Sequence, residues 1–308
     1  MVATEVVISR PRVISPFRAQ LTITGRRAAE VWQQILHNKT AMAGLSILVF
    51  FVFLALAAPW IAPYGPLQPV NDAPALSPPS PQHLMGVSRL GNDIFSQVIW
   101  GTQVSLLVGV LSAIVASVIG TAVGLFSGFV GGWVDDVIMR FNDVVLSIPW
   151  LVLMIIVAAR LGTIDLLGIT LVIGLTGWSV TARVIRSQVL SLKERMFVER
   201  AKMVGSSSSH ILLRHIFPNA FPLIFANTIL TVAVSILSES VLAFLNLSLR
   251  QNISWGRIVA EAQSNYAMTT GNPGWLIIPG LCIVFLVFGF YLFGYALDEI
   301  LNPRLRRR

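Results

Sequence analysis

The chain has 308 residues, 55% hydrophobic and only 12% charged, with a mean hydropathy of +0.76. Soluble domains carry about 25% charged residues, so this composition excludes an ordinary water-facing surface and fits a bilayer as solvent. The formal net charge of +8 has to be placed along the chain before it can point to nucleic acid or to membrane orientation.

Six basic residues, Arg10, Arg12, Arg18, Arg26, Arg27 and Lys39, lie in the N-terminal stretch 1–40. The piece 26–38 reads either as an amphipathic helix on the membrane surface or as part of a tail without fixed structure. About forty polar residues before the first apolar run are too many for the charged start of a secretory signal, so that run reads as a retained helix. The first span is expected at 41–61. An outer loop, 62–103, follows; eight of the sixteen prolines lie between Pro59 and Pro81, which predicts an extended loop with no core of its own. Leu90–Gln103 reads as a short surface helix before the second span, 104–127. There Gly120, Gly124 and Gly128 recur at i, i+4 and i+8, a spacing that lets helix backbones approach closely in lipid.

The third span is expected at 144–160, kinked by Pro149. Asp135, Asp136, Arg140 and Asp143 precede it at spacings that allow local pairing through Arg140. A fourth span is placed at 166–182, a basic connection at 183–217, a fifth span at 218–245, a polar loop at 246–274 and a sixth span at 275–297. Trp100, Trp150, Trp178 and Trp255 fall near span ends and read as interface anchors. With both termini inside, eighteen of the twenty-two Lys and Arg residues lie on the inner side. That asymmetry is the positive-inside pattern, and it accounts for the basic charge without nucleic acid.

No phosphate-binding G-x-x-x-x-G-K-[ST] loop and no G-x-S-x-G nucleophile turn is present, so the chain reads as a non-enzyme with no cofactor of its own. The lone Cys282 forms no internal disulfide, and His210 and His215 are five apart, not the four of a zinc-protease helix. Chemistry therefore has to be sought in the connection between spans four and five. Over Leu190–Pro222 it shows helical periodicity: Phe197, Val198, Ala201 and Val204 share a face, and Gly205 is a natural C-cap. A second amphipathic piece, Ile211–Ile216, follows. Two short helices around a glycine turn make a knob that suits a groove on another protein or, alternatively, an anionic lipid surface.

Here the sequence resembles a known family. Glu199-Arg200-Ala201-Lys202-Met203-Val204-Gly205, followed by His215-Ile216-Phe217-Pro218-Asn219, is similar to the E-A-A-x-x-x-G loop of permease subunits of binding-protein-dependent ABC importers. MGVSRLGNDIFSQVIWGTQVSLLVG (85–109), ARVIRSQVLSLKER (182–195) and the ending NPRLRRR (302–308) resemble the dipeptide/oligopeptide/nickel permease subfamily. The likeness covers nearly everything beyond residue 30. It implies an all-α polytopic membrane protein with about six transmembrane helices in the type I ABC importer permease fold, set in the inner membrane. It also implies partners: a second homologous permease subunit, two ATPase subunits that bind ATP and Mg, and an extracytoplasmic substrate-binding protein. Glu199, Ala201 and Gly205 map onto the motif, and with Arg200 and Val204 they are the expected contacts of the coupling helix to the ATPase. Arg200 stands where the motif has alanine, and Phe217 where it has leucine. Asn92, Asn246, Ser248 and Arg250-Gln251-Asn252 depart from the subfamily on the outer side.

Glu239 is a strongly polar residue inside span five, which costs about 2.5–3.5 kcal/mol on insertion scales. It reads either as a pathway-lining group, with Ser235 and Ser238, or as a buried hydrogen-bond partner of a nearby serine or of another helix. The expected function is ATP-driven import of di- or oligopeptides. Nickel or another small solute is the alternative within the family. A self-sufficient secondary transporter or a non-transporting membrane anchor are the alternatives outside it, and the first of these should show an internal repeat that is not visible here.

Overall fold

The computed structural model describes residues 29–162, 165–247 and 253–301. Among them are α1 (29–37), α2 (Lys39–Ile61), α3 (Ile94–Val130), α4 (Gly132–Ser147), α5 (Trp150–Leu161) and α6 (Leu166–Lys193), then α7 (Met196–Met203), α8 (Ser208–Ile211), a π-helical turn (Leu212–Ile216), α9 (Phe217–Phe244), α10 (Trp255–Ser264) and α11 (Gly274–Leu301). Among the described residues five helices are long and apolar enough to cross a membrane, and the count is six when the bent pair α4–α5 is taken as one span. The protein is an all-helical, multi-pass membrane protein among its described residues. Positions 1–28, with the start of the expected amphipathic piece, lie outside them, as do Ser248, Arg250–Asn252 and 302–308.

Asn38 caps α2, its side chain accepting from Ala41 N. Asp93 caps α3, accepting from Ser96 N at 2.7 Å and Ser96 Oγ at 2.6 Å. From there α3 runs unbroken for 37 residues, about 55 Å at 1.5 Å per residue, longer than the hydrocarbon layer. The expected surface helix at 90–103 and the span at 104–127 are thus one element, and the outer loop ends at the Asp93 cap. No proline interrupts the stretch, and Ile94, Val98 and Ile99 continue its buried stripe beneath the outer loop.

The glycine stripe packs α3 onto α6. A Cβ on Gly120 would stand 2.6 Å from the Trp178 carbonyl oxygen, and one on Gly124 2.5 Å from that of Ala182. Alanine at either position would force the helices apart.

The expected third span is a broken one. α4 and α5 meet at 85° across Ile148-Pro149. Proline has no N–H and clashes with the carbonyl four residues back, and it drives the preceding residue into extended geometry; Ile148 sits at φ −82°, ψ 126°. The fourth span also departs from its expected end at 182: α6 continues to Lys193, so the connection begins within a helix. Charge is no obstacle, because Arg183 and Arg186 find carboxylates on α4 and Lys193 Nζ donates to the Phe129 carbonyl. The apolar side of the extension, Ile185, Val189 and Leu192, joins Val198, Ile211, Ile216 and Ala220 in one buried cluster.

The expected polar loop at 246–274 contains α10. Hydropathy hides this helix, but its faces are sharply divided: Trp255, Ile258 and Ala262 are fully buried against α3 and α9, with Phe51 of α2 edge-on to Trp255. Trp255 is therefore a core residue and not an interface anchor; its indole N–H donates to the Val98 carbonyl at 2.9 Å.

Candidate functional site

Three features carry polar chemistry into this apolar bundle. The first lies around Glu239, which α9 presents inward with 2% exposure. Ser105 Oγ of α3 donates to Glu239 Oε2 at 3.4 Å, and the Trp255 backbone N–H donates to the same serine at 3.2 Å. Ser254, the N-cap of α10, and Ser240 are the other polar neighbours of the carboxylate. Close approach is built in: a Cβ on Gly256 would sit 2.5 Å from the Ser240 carbonyl oxygen. A buried carboxylate facing the start of a helix is favoured by the unpaired N–H groups there. Glu239 thus joins α3, α9 and α10. Ser238 Oγ and Ser240 Oγ donate to carbonyls of their own helix.

The second feature is a cavity of about 360 Å³ bounded by the α4–α5 break, α3, α6, α9 and α11. Apolar groups from Leu146, Leu153, Ile173 and Val234 form much of its wall. Its polar groups are Thr176, Ser179 and Thr181 from α6, Asn227, Thr231 and Ser235 from α9, and Tyr291 from α11. Asn227 Nδ2 donates to Thr181 Oγ1 at 3.0 Å, and Trp150 Nε1 to Thr176 Oγ1 at 3.3 Å. Of the serines named from sequence, Ser235 lines this cavity, whereas Ser238 and Glu239 do not. Asn227, Thr231 and the α6 threonines were missed. Their signal was present: Asn227, Thr231, Ser235 and Glu239 stand at i, i+4, i+8 and i+12, one polar line down a mostly apolar helix.

The third feature is the knob between α6 and α9. Gly205 at φ +79° closes α7, with Ser206 N donating to Ala201 O and Gly205 N to Lys202 O. This paired pattern satisfies the orphan carbonyls of the last turn and needs a left-handed residue at Gly205. The expected shared apolar face divides in two. Val198 and Ala201 point inward onto Ile211 and Ile216, while Met196, Met203 and Val204 point out, Val204 being 83% exposed. Glu199 and Arg200 are exposed beside them. The outward apolar tip is thus Met196, Met203 and Val204, with Leu213 exposed on the neighbouring turn. The sequence periodicity missed the two methionines because α7 is only eight residues long.

Between knob and cavity, α4 is held to α6. Arg186 binds Asp135 bidentately, at 2.7 Å and 2.6 Å, and Arg183 pairs with Asp143. The expected local pairing through Arg140 does not form. The two antiparallel helices bring each carboxylate to a guanidinium across the interface, and the planar fork of arginine suits that geometry.

Residues 120–307 match the family described as the binding-protein-dependent transport system inner membrane component, and residues 27–79 match the N-terminal TM domain of oligopeptide transport permease C. The chain is 32% identical over 279 residues to the dipeptide transport system permease protein DppC of Bacillus subtilis, covering 90% of this chain and 86% of that protein. It is 36% identical over 278 residues to the glutathione transport system permease protein GsiD of Shigella flexneri, covering 90% of each.

Proposed function

Because the chain belongs to the binding-protein-dependent transport system inner membrane component family, we propose that it is one half of the translocation pathway of an ATP-driven importer for di- and oligopeptides. The observation that carries the substrate class is the similarity, over 90% of the chain, to permeases named for a dipeptide and for glutathione, both small peptides. Family membership replaces the self-sufficient transporter and the passive anchor considered from sequence.

In this reading a second homologous permease completes the pathway, two ATPase subunits hold ATP and Mg, and an extracytoplasmic binding protein delivers the peptide. Both termini lie inside, as the distribution of Lys and Arg favours. The knob is the contact to the ATPase: Met203 and Val204 enter a groove on that subunit, Glu199 and Arg200 flank them, and Ala201 and Gly205 fix the turn behind. Motion at the knob reaches the membrane through α6, which carries the knob at one end and cavity-lining threonines in its middle. Ser235 faces the path. Ser238 is bonded within its own helix and acts at most through α9. Glu239 closes the outer end of the polar line on α9 and anchors α10 there.

The test is purification of the tagged protein in mild detergent from its native membrane, followed by identification of co-purifying chains and an ATPase assay. A second permease chain and an ATP-hydrolysing subunit are the expected companions. A lone chain without ATPase activity, under conditions in which a control importer stays intact, would overturn the importer reading.

A further inference from the structure

We infer that the cavity between α3, the α4–α5 break, α6, α9 and α11 is a peptide-binding station that holds its cargo by neutral hydrogen bonds, leaving transport through this half indifferent to the charge of the peptide side chains. The inference deepens the importer reading and rests on it.

Four observations meet in this cavity. First, none of the described side chains that line it is charged, although α4 and α6 carry charged residues close by. Four of those charges are held in ion pairs outside the lining, Arg183 with Asp143 and Arg186 with Asp135. Secondly, the polar lining consists of hydroxyls and an amide, which can donate and accept in turn. They complement the alternating N–H and C=O groups of a peptide backbone, which every peptide shares whatever its side chains. Thirdly, Thr231 Oγ1 gives its proton to the Asn227 carbonyl of its own helix, which leaves its lone pairs to accept from a peptide N–H. Fourthly, the volume of about 360 Å³ falls within the ordinary range of small-molecule sites, roughly 300–1,000 Å³, with a mostly apolar wall and a few convergent polar groups.

A charged wall would discriminate. Like charges side by side in a poorly hydrated site repel strongly, and unlike charges trap. A transport station has to release what it binds, so neutral recognition of the backbone suits passage of varied peptides. Selection by charge then falls to whatever precedes this cavity.

The test places a charge in the cavity of the assembled complex. Thr231 lines the cavity, is partly accessible, and makes only a bond to the Asn227 carbonyl of its own helix. In a Cys282→Ala background, Thr231→Cys is a near-isosteric change. The complex in proteoliposomes is treated with an anionic (sulfonatoethyl) or a cationic (trimethylammonium-ethyl) methanethiosulfonate. Uptake of alanyl-alanine, lysyl-alanine and glutamyl-alanine is then compared. The unmodified complex is expected to carry all three in proportion to their binding by the binding protein. The anionic adduct should favour lysyl-alanine over glutamyl-alanine by about tenfold, and the cationic adduct should reverse that preference. Thr231→Asp should reproduce the first preference without a reagent.

An unmodified complex that takes up one charged dipeptide and refuses the other, although its binding protein binds both equally, would overturn charge indifference. Intact uptake with an unchanged ratio under both adducts would remove the cavity from the path, and equal loss of all three peptides under both adducts would also count against recognition by this lining. Absence of any ATP-driven dipeptide uptake by the unmodified complex would instead overturn the peptide-importer reading itself.

Discussion

The turn of the knob rests on a single backbone angle, that of Gly205. Its φ of +79° is open to glycine and expensive for other residues, and nothing lies within 4 Å of where a Cβ would stand. Alanine there would meet no steric obstacle and would lose only about 1–2 kcal/mol through the left-handed backbone. Proline is different in kind: its ring fixes φ near −65°, and the substitution deletes the N–H that bonds to Lys202 O. Gly205→Pro is therefore expected to leave membrane insertion at wild-type level while uptake falls to background and ATP hydrolysis loses its dependence on substrate. Wild-type uptake by this variant, measured beside its membrane abundance, would dissociate the knob from energy coupling. Glu239 shows the same economy in a buried setting. One carboxylate, reached by Ser105 and standing before the first turn of α10, joins three converging helix segments.

At the scale of elements, the α4–α5 break and the α4–α6 ion pairs form one unit. Pro149 frees the two arms to take different directions, and each arm is then fastened to α6, α4 by Asp135–Arg186 and Asp143–Arg183, α5 by Trp150 to Thr176. A displacement of α6 would be passed to the α4–α5 part of the cavity wall through these contacts. The Asp135 carboxylate is nearly buried and the Arg186 guanidinium is 29% exposed; removing one partner of such a pair leaves a charge uncompensated, at a cost of about 3 kcal/mol. Arg186→Asp is expected to lower peptide uptake per ATP hydrolysed by tenfold or more, and the exchange Asp135→Arg with Arg186→Asp should restore much of it. The check is the ratio of uptake to hydrolysis in the reconstituted complex; a double variant no better than the single one would mean that the pair does not transmit motion.

Why the spans were legible in sequence and these links were not follows from the physics of each. A bilayer demands about twenty apolar residues in a row, so hydropathy alone located the crossings, and Pro149 announced the break. The Gly120, Gly124 and Gly128 stripe marked a packing face without naming α6 as its partner. The ion pairs depend on which helices are antiparallel neighbours, which no spacing within α4 reveals, and so Arg140 was paired wrongly. α10 stayed hidden because its mean hydropathy is low; its burial comes from Trp255 and Ile258 fitting against α3, α9 and α2, a tertiary gain that a window average erases. The polar line on α9 was readable at i, i+4 and i+8, but the charge of Glu239 drew attention from the neutral residues below it.

At the scale of the whole molecule, the proposed function depends on a direction across the membrane. Lys and Arg crowd the ends of spans assigned to the inner side, and the knob on the α6–α9 connection carries four of them, Arg195, Arg200, Lys202 and Arg214. The 62–93 loop is tied to the turn that follows α10, where Asn272 Nδ2 donates to the Met85 carbonyl, and it is braced internally by the buried His83 between Asp93 and Asp72. A sided molecule with one exposed feature on each face makes a simple expectation. In a Cys282→Ala background, Gln263→Cys, at the exposed side of α10, should react with a membrane-impermeant maleimide in intact spheroplasts. Ser208→Cys, at the exposed start of α8, should react only after the membrane is opened. The opposite pattern would turn the knob away from any cytoplasmic ATPase, and the coupling role of Met203, Val204 and Gly205 would fall with it. Labelling of both from outside would instead mean that the number of crossings between α8 and α10 is even, against the single crossing that α9 supplies.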